Sequence, residues 1–300
     1  MKTYNIYQVD SFTKNRFCGN PAGVVLNANG LSEEQMQQIA RELNNSETAF
    51  ILSPNSSHYD IEVRFFTPTK EVPICGHATI AAHYIRALET GKIGRVLQKT
   101  KAGILPVDIT QENDDFNITM TQGTPQVEKP LDTPTAKRII EALGIHLQNM
   151  REDCPIAIAS TGHSKVMIGI KDNQLLNSLK PNLESLSTLS AEIHCNGYYV
   201  FTLDFNTEPL VHGRMFAPAA GVAEDPVTGN ANGALGAYLV YYRIAKHLET
   251  KNNLSFAILQ GEAIKRMGGM RVNVEIKDKK PTLVQIIGQA VVCFKTEICI

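Results

Sequence analysis

Two stretches of this 300-residue chain resemble each other, and an internal repeat restricts the possible folds more than any other feature of the sequence. The first is "RFFTPTKEVPICGHATIAAHYI" (64–85) and the second is "RMFAPAAGVAEDPVTGNANGALGAYL" (214–239). Each has an arginine two positions before a phenylalanine, then a proline, a short loop, a glycine and a helix rich in small residues. The chain is therefore predicted to fold as two similar halves. The aligned residues are Phe66 with Phe216, Pro68 with Pro218, and Gly76 with Gly229.

Helix and strand patterns elsewhere in the chain support the same division. A predicted helix followed by a strand precedes each repeat, over 31–52 and over 182–202. Ser32 stands where the first of these helices needs an N-cap. The helix predicted over 77–91 is apolar on nearly all sides early on, which indicates burial, and Gly91 is its predicted C-cap.

The stretch between the two halves, "GTPQVEKPLDTP" (123–134), is punctuated by prolines. Prolines between periodic segments are typical of loops, so this stretch is predicted to be a linker.

The charge balance and the cysteine pattern limit the possible partners and cellular location of the protein. The chain has 29 lysines and arginines against 30 aspartates and glutamates, so no basic excess favours nucleic acid or an anionic membrane as a partner. A small molecule is the expected ligand. No signal peptide or membrane span is predicted, and the six cysteines are scattered without a C-x-x-C pair. A cytoplasmic protein with free thiols is expected.

The two predicted helix starts at Gly76 and Gly229 are candidate anion sites. A glycine followed by small residues lets a ligand approach the free N–H groups of the first turn, where the helix dipole favours a carboxylate. Tight turns without a function are the alternative interpretation.

Three carboxylates are candidates for chemistry at these anion sites. Glu47, in "NNSETAF" (44–50), precedes an apolar strand, where partial burial would suit it to general acid/base chemistry. Glu224 and Asp225 precede the second helix start and are candidates for binding a substrate amine or for a second acid/base. The alternatives are a surface glutamate for Glu47 and an Asx turn before Pro226 for Asp225.

Cys75, His77 and His163 are further candidates. The helix dipole and His77 would activate the Cys75 thiol, but a small buried core residue is an equally good interpretation. Side chains two residues apart at a helix start are expected to point in different directions, which argues against a Cys75–His77 hydrolase. His163, in "STGHSKVM" (160–167), is either a cleft residue or part of a polar turn.

Nucleotide-binding and zinc-protease motifs are absent from the sequence. The chain has no G-x-x-x-x-G-K-[ST], no G-x-G-x-x-G after a strand, no G-x-S-x-G and no H-E-x-x-H. We therefore expect neither a cofactor nor a metal.

Three motifs in order, "NNSETAF", "FTPTKEVPICGHATIAAHY" and "EDPVTGNANGALGAYL", resemble the PhzF-like isomerases of phenazine biosynthesis. These enzymes are relatives of diaminopimelate epimerase and proline racemase, and the likeness covers essentially the whole chain. It implies an α+β fold of two pseudo-symmetric halves, each a rolled antiparallel or mixed sheet around a central helix. The halves would be 1–122, completed by a last strand at about 287–300, and 123–286. The resemblance also implies an active site between the halves, cofactor-independent proton transfer and a homodimer.

The resemblance assigns roles to individual residues. Glu47 matches the catalytic glutamate, His77 the cleft histidine and Asp225 the second-half aspartate. Asn230 stands where the phenazine enzymes have a serine, which implies a different substrate. The expected substrate-binding residues are Ser46, Cys75, Gly76, His163, Gly229 and Asn230.

A symmetric mechanism with two thiols, as in the epimerases, is excluded by the sequence. Cys75 has no counterpart at 225–228, and no cysteine lies between Cys195 and Cys293. The expected function is an isomerase that moves a proton within a small carboxylate-bearing metabolite, with Glu47 as the single acid/base. The alternatives are a racemase or epimerase that pairs Cys75 with a carboxylate, and a non-catalytic binding protein on the same scaffold.

Overall fold

A computed structural model describes residues 1–195 and 197–300 of the chain. The chain divides into two compact units: the first is Met1–Thr121 with Ile287–Ile300, and the second is Gln122–Ile286. Both units combine helices with a mixed β-sheet, which confirms the predicted α+β class. No helix in the described ranges is long and apolar enough to cross a membrane. The placement of an active site between the halves stays a prediction.

The first unit contains two helices and the strands of one mixed sheet within its described residues. The helices are α1 (Glu33–Leu43) and α2 (Gly76–Thr90). The strands are β1 (Thr3–Ser11), β2 (Asn20–Val25), β3 (Thr48–Leu52), β4 (Ile61–Phe66), β5 (Glu71–Val72), β6 (Gly94–Thr100), β7 (Gly103–Glu112), β8 (Asp115–Thr121) and β18 (Ala290–Cys299).

The second unit has the same kinds of element. Its helices are α3 (Thr133–Ala142), α4 (Asn173–Ser178), α5 (Leu183–Glu192) and α6 (Gly229–Tyr241). The remaining strands are β9 (Gln126–Pro130), β10 (Ala157–Ser160), β11 (Ser164–Gly169), β12 (Tyr198–Leu203), β13 (Val211–Ala217), β14 (Val222–Asp225), β15 (Asn253–Gln260), β16 (Gly268–Lys277) and β17 (Lys280–Gly288).

The strand pairing of the first unit is repeated in the second. In the first unit β2–β3 and β4–β6 are parallel pairs, while β3–β4, β4–β5 and β6–β7 are antiparallel. In the second unit β11–β12 and β13–β15 are parallel, while β12–β13, β13–β14 and β15–β16 are antiparallel. The buried helices α2 and α6 stand at equivalent points of this scheme, as expected for two copies of one fold.

Helix α2 is the central helix of the first unit. It packs against β1, β2, β3, β7, β8 and β18, and nine of its residues are buried, which confirms the burial indicated by its apolar sequence. The C-cap at Gly91 is also confirmed, because this glycine adopts a left-handed conformation with φ of 66°. In α1 the predicted Ser32 cap is confirmed as a capping box with Gln35.

The prediction of a linker over 123–134 is wrong. Residues Gln126–Pro130 form β9, which pairs with β10, and α3 begins at Thr133 with an Asp132 side-chain cap. Proline is compatible with both elements because it occupies the last position of the strand and the first turn of the helix. The prolines mark the ends of two elements rather than a flexible connection.

An ion pair accounts for part of the repeated motif in the first unit. The Arg64 guanidinium donates to both carboxylate oxygens of Glu71, at 2.8 and 2.6 Å, and its central carbon lies 5.1 Å from the centre of the Phe66 ring. The repeated arginine and phenylalanine thus tie β4 to β5 ahead of the α2 start.

Candidate functional site

The first unit brings Glu47 and His77 together. Glu47 directly precedes β3 and is held there by its carbonyl, which accepts a hydrogen bond from the Gly23 amide at 3.2 Å. His77 is the second residue of α2, where its own carbonyl accepts a hydrogen bond from the Ser11 hydroxyl at 2.7 Å. These contacts bring Glu47 Oε2 to 3.4 Å from His77 Nε2. The Ser46 hydroxyl lies 3.2 Å from the same nitrogen.

Cys75 also contacts the imidazole, and the expectation that its side chain points away from His77 is wrong. Its Sγ is 3.4 Å from His77 Nδ1 and 3.9 Å from Nε2. The reason is that Cys75 is the N-cap of α2 and has an extended backbone (φ −142°, ψ 126°), while His77 is helical. The change in backbone direction turns the thiol back over the first turn of the helix.

The arrangement puts His77 in contact with both an acid and a thiol. With its proton on Nε2, the imidazole donates toward the Glu47 carboxylate, while Nδ1 is available to the Cys75 thiol. The His77 side chain is 9% exposed and that of Glu47 is 22% exposed, so the carboxylate is the more accessible group. This geometry suits Glu47 to exchanging protons with a ligand and His77 to orienting it.

Both buried helices begin without a side-chain cap. Cys75 and Thr228, the N-cap residues of α2 and α6, make no capping hydrogen bond from their side chains to the backbone amides of the first turn. At Gly76 the space that a side chain would fill is open to 4 Å. The free N–H groups of these first turns are therefore suited to an anion. The helices α1, α3, α4 and α5 are capped instead, by Ser32, Asp132, Asp172 and Asn182 respectively.

In the second unit a buried hydrogen-bond network holds Asp225. The Asp225 carboxylate accepts a short hydrogen bond from the Thr228 hydroxyl, and its carbonyl accepts one from Gln260 Nε2 at 2.8 Å. Gln260 is fully buried and also accepts from the Thr228 amide at 3.2 Å and from Asn232 Nδ2 at 2.9 Å. Asp225 is thus fixed at the turn that starts α6.

The sequence made Glu224 a candidate acid/base. In the structure it belongs instead to an ion pair and is not a free acid/base. Both of its oxygens accept hydrogen bonds from Arg214, at 2.9 and 2.6 Å, and Arg214 lies 4.9 Å from the centre of the Phe216 ring. The two side chains are 11% and 7% exposed. This pair repeats the Arg64–Glu71 pair of the first unit, so Glu224 fixes β14 against β13.

The turn before β11, which carries His163, contacts the start of α6 through Thr161. His163 is exposed in this turn, and the neighbouring Thr161 hydroxyl donates to the Asn230 carbonyl at 3.3 Å. The side-chain oxygen of Asn230 is buried and has no hydrogen-bond partner within the described part of the chain. An acceptor in this state is suited to a ligand donor.

Sequence reasoning missed Lys165, two residues beyond His163. It is 4% exposed, and its Nζ lies 3.2 Å from the Ser164 carbonyl and 3.5 Å from that of His163. Burial lowers the pKa of Lys165 from 10.5 to about 8, and the neighbouring Cys195 and Asp225 side chains partly oppose this. The only sequence signal was a lysine directly before the apolar run "VMIGI".

Replacing Lys165 by methionine is expected to stabilise the protein at pH 7. Between about pH 8 and 10.5 the unfolded chain holds a proton that the folded chain has lost, so wild-type stability rises with pH in this window. Below pH 8 the buried charge costs about 3 kcal/mol, because the pKa is about 2.5 lower than usual. The advantage of Lys165→Met should therefore shrink as the pH rises toward 10.5. Urea unfolding of both proteins at pH 7 and pH 10 measures this stability advantage and its decrease with pH. A variant less stable than wild type at pH 7 would contradict the prediction.

Comparison with known proteins identifies the family. The profile of the phenazine biosynthesis-like protein family, PhzC-PhzF, matches residues 9–296. An uncharacterized isomerase of Clostridium acetobutylicum is 55% identical over 300 residues, which cover 99% of each chain. The trans-2,3-dihydro-3-hydroxyanthranilate isomerase of Pseudomonas chlororaphis is 30% identical over 288 residues, 94% of this chain and 95% of the relative.

Solved structures agree with the sequence comparison. A PhzF-family phenazine biosynthesis protein of Bacillus anthracis superposes with a TM-score of 0.88 at 34% identity, and each chain is covered fully. A hydroxyproline epimerase from Agrobacterium vitis shares the fold alone, with a TM-score of 0.63 at 13% identity over 99% of this chain and 91% of its own. The predicted family and the epimerase-like fold are thereby confirmed. The chain belongs to the phenazine biosynthesis-like family, PhzC-PhzF, and is an isomerase.

Proposed function

We propose that the protein is a cofactor-independent isomerase that moves a proton within a small carboxylate-bearing metabolite, with Glu47 as the general acid/base. The observation that carries this proposal is the Glu47 carboxylate, 3.4 Å from His77 Nε2 beside the uncapped start of α2. In a family of isomerases, this arrangement offers a base, a residue that orients it and an anion site together.

The proposed reaction has two proton transfers on one carboxylate. Glu47 takes a proton from a substrate carbon next to a carbon–carbon double bond, and the electrons of the broken C–H bond spread through that double bond to form an enolate-like system with the substrate carboxylate. Amide groups at the start of α2 stabilise the developing negative charge. Glu47 then returns the proton to another carbon of the same molecule, and the double bond moves. His77 orients Glu47, and Asp225 orients the substrate.

The substrate is proposed to differ from that of the phenazine enzymes. The Pseudomonas chlororaphis relative is named for trans-2,3-dihydro-3-hydroxyanthranilate. The unpartnered acceptor of Asn230 supports a substrate that presents an N–H or O–H group at that position. Cyclic or amino-acid-derived carboxylates with such a donor are therefore the first class to test.

A thermal-shift screen of carboxylate metabolites, followed by proton NMR in deuterated water, tests the function. A true substrate should raise the melting temperature, take up deuterium at the protonated carbon and shift its double bond. Ligands that bind tightly without any exchange, and whose binding is indifferent to Glu47 substitution, would instead favour a non-catalytic binding protein.

A racemase or epimerase is the second candidate, and the 3.4 Å contact between Cys75 Sγ and His77 Nδ1 favours it. Under the proposed mechanism Cys75→Ala should lower turnover less than tenfold, because Glu47 performs both proton transfers. Deuterium incorporation at a stereocentre that disappears in Cys75→Ala, measured by the same NMR assay, would support the epimerase instead.

The homodimer and the cytoplasmic location belong to the same proposal. Both come from the likeness to the family and from the cysteine usage of the sequence. Size-exclusion chromatography with light scattering tests the dimer, and a mass of one chain would contradict it.

A further inference from the structure

The three side chains around His77 form a set of possible metal ligands. One ligand atom from each of Glu47, Cys75 and His77 lies within 4.8 Å of the other two. The Nε2–Oε2 distance is 3.4 Å and the Nε2–Sγ distance is 3.9 Å. Two ligands of one tetrahedral zinc ion, with bonds of about 2.0–2.3 Å, lie roughly 3.3–3.6 Å apart. Small side-chain adjustments would bring all three atoms onto one ion.

We propose that Glu47, Cys75 and His77 bind Zn²⁺ and that this zinc inhibits the isomerase. The inhibitory part rests on the proposed function, because the ion would bind the Glu47 oxygen that is needed to accept the substrate proton. On binding, the Cys75 thiol loses its proton to water and forms the zinc–sulfur bond. Three protein ligands leave the fourth position of the ion to water.

The donor set selects the metal. A thiolate and an imidazole favour zinc over magnesium or calcium, which prefer sites made of oxygen ligands alone. The Cys75 and His77 side chains are each about 9% exposed and Glu47 is 22% exposed, so the ion reaches the set from the Glu47 side. No local sequence motif predicts this ligand set, because Glu47 is distant from Cys75 and His77 along the chain.

The surroundings of His77 indicate a reversible site rather than a resident zinc. Resident zinc ligands usually donate their second ring nitrogen to a separate carboxylate or carbonyl, which fixes the ring. Within the described ranges the recorded partners of the His77 ring are Ser46, Glu47 and Cys75, two of which would themselves bind the metal. Ser46 contacts Nε2, the nitrogen proposed to bind the ion, so the described residues give Nδ1 no separate acceptor to hold the ring for a permanent ion.

Cobalt and zinc binding to the metal-stripped full-length protein tests this site without a substrate. Wild-type protein should bind one ion per chain, and Co²⁺ should give a thiolate-to-metal charge-transfer band. Cys75→Ser should abolish the band and weaken Zn²⁺ binding, measured by competition with a chromophoric chelator, at least tenfold. Glu47→Gln should weaken Zn²⁺ binding by a similar factor but keep the band.

The matched control is Cys299→Ser, which removes an exposed thiol and should change neither the band nor the affinity. Circular dichroism verifies that each variant is folded. An unchanged zinc affinity in folded Cys75→Ser, or loss of the band in Cys299→Ser, would overturn the zinc site. A folded Glu47→Gln variant with full turnover would overturn the proposed acid/base, whereas the zinc site is judged by metal binding alone, so the two failures are distinguishable.

Discussion

Replacing Glu47 by glutamine is expected to lower turnover by about 10²- to 10⁴-fold, the range that a positioned general acid/base contributes. Glutamine has nearly the same shape as glutamate. Its amide oxygen can still accept a hydrogen bond from His77 Nε2, which lies 3.4 Å from the Glu47 carboxylate in the wild-type protein. It cannot accept the substrate proton. Folding and ligand binding should therefore change little, and the loss should appear in kcat rather than in KM.

The measurement is the rate of deuterium exchange by NMR on a substrate identified in the screen, with the melting temperature as a check on the fold. Glu42→Gln provides the matched control, because Glu42 is an exposed glutamate on α1. It should be fully active. A Glu47→Gln variant with wild-type turnover would refute the proposed role of Glu47.

Replacing Glu224 by glutamine is expected to destabilise the protein by about 3–5 kcal/mol, because it leaves the buried Arg214 guanidinium without its counter-charge. Arg214 is held in place by further hydrogen bonds to the carbonyls of Leu176 and Leu179, at 2.9 and 3.0 Å. It therefore cannot turn toward water to recover its solvation.

The repeat supplies a matched control in Glu71→Gln. Its partner Arg64 is 20% exposed and also pairs with Glu33 at 2.6 Å, so about 1–2 kcal/mol is the expected loss. Urea unfolding midpoints measure both variants. An equally stable Glu224→Gln variant that has lost turnover would return Glu224 to the candidates for catalysis.

Features that depend on neighbouring residues were predictable. Ser32 caps α1 and Gly91 ends α2, because a side-chain cap and a left-handed residue are local requirements of a helix end. The repeat around Gly76 and Gly229 could be recognised in the sequence for a similar reason, because each copy needs the same residues in the same order. Proline punctuation over 123–134 misled the prediction, because prolines at element ends resemble those of a loop.

The sequence by itself determined the two-fold repeat, the α+β class, the family and the residue types of the candidate site. Tertiary structure decided which of these residues meet. It brought Cys75 and Glu47 into contact with His77, paired Glu224 with Arg214, and buried Lys165. The physical reason is that a cap or a helix pattern is satisfied within a few residues. The partner and the burial of a charged side chain are instead set by strands and helices far away in the chain.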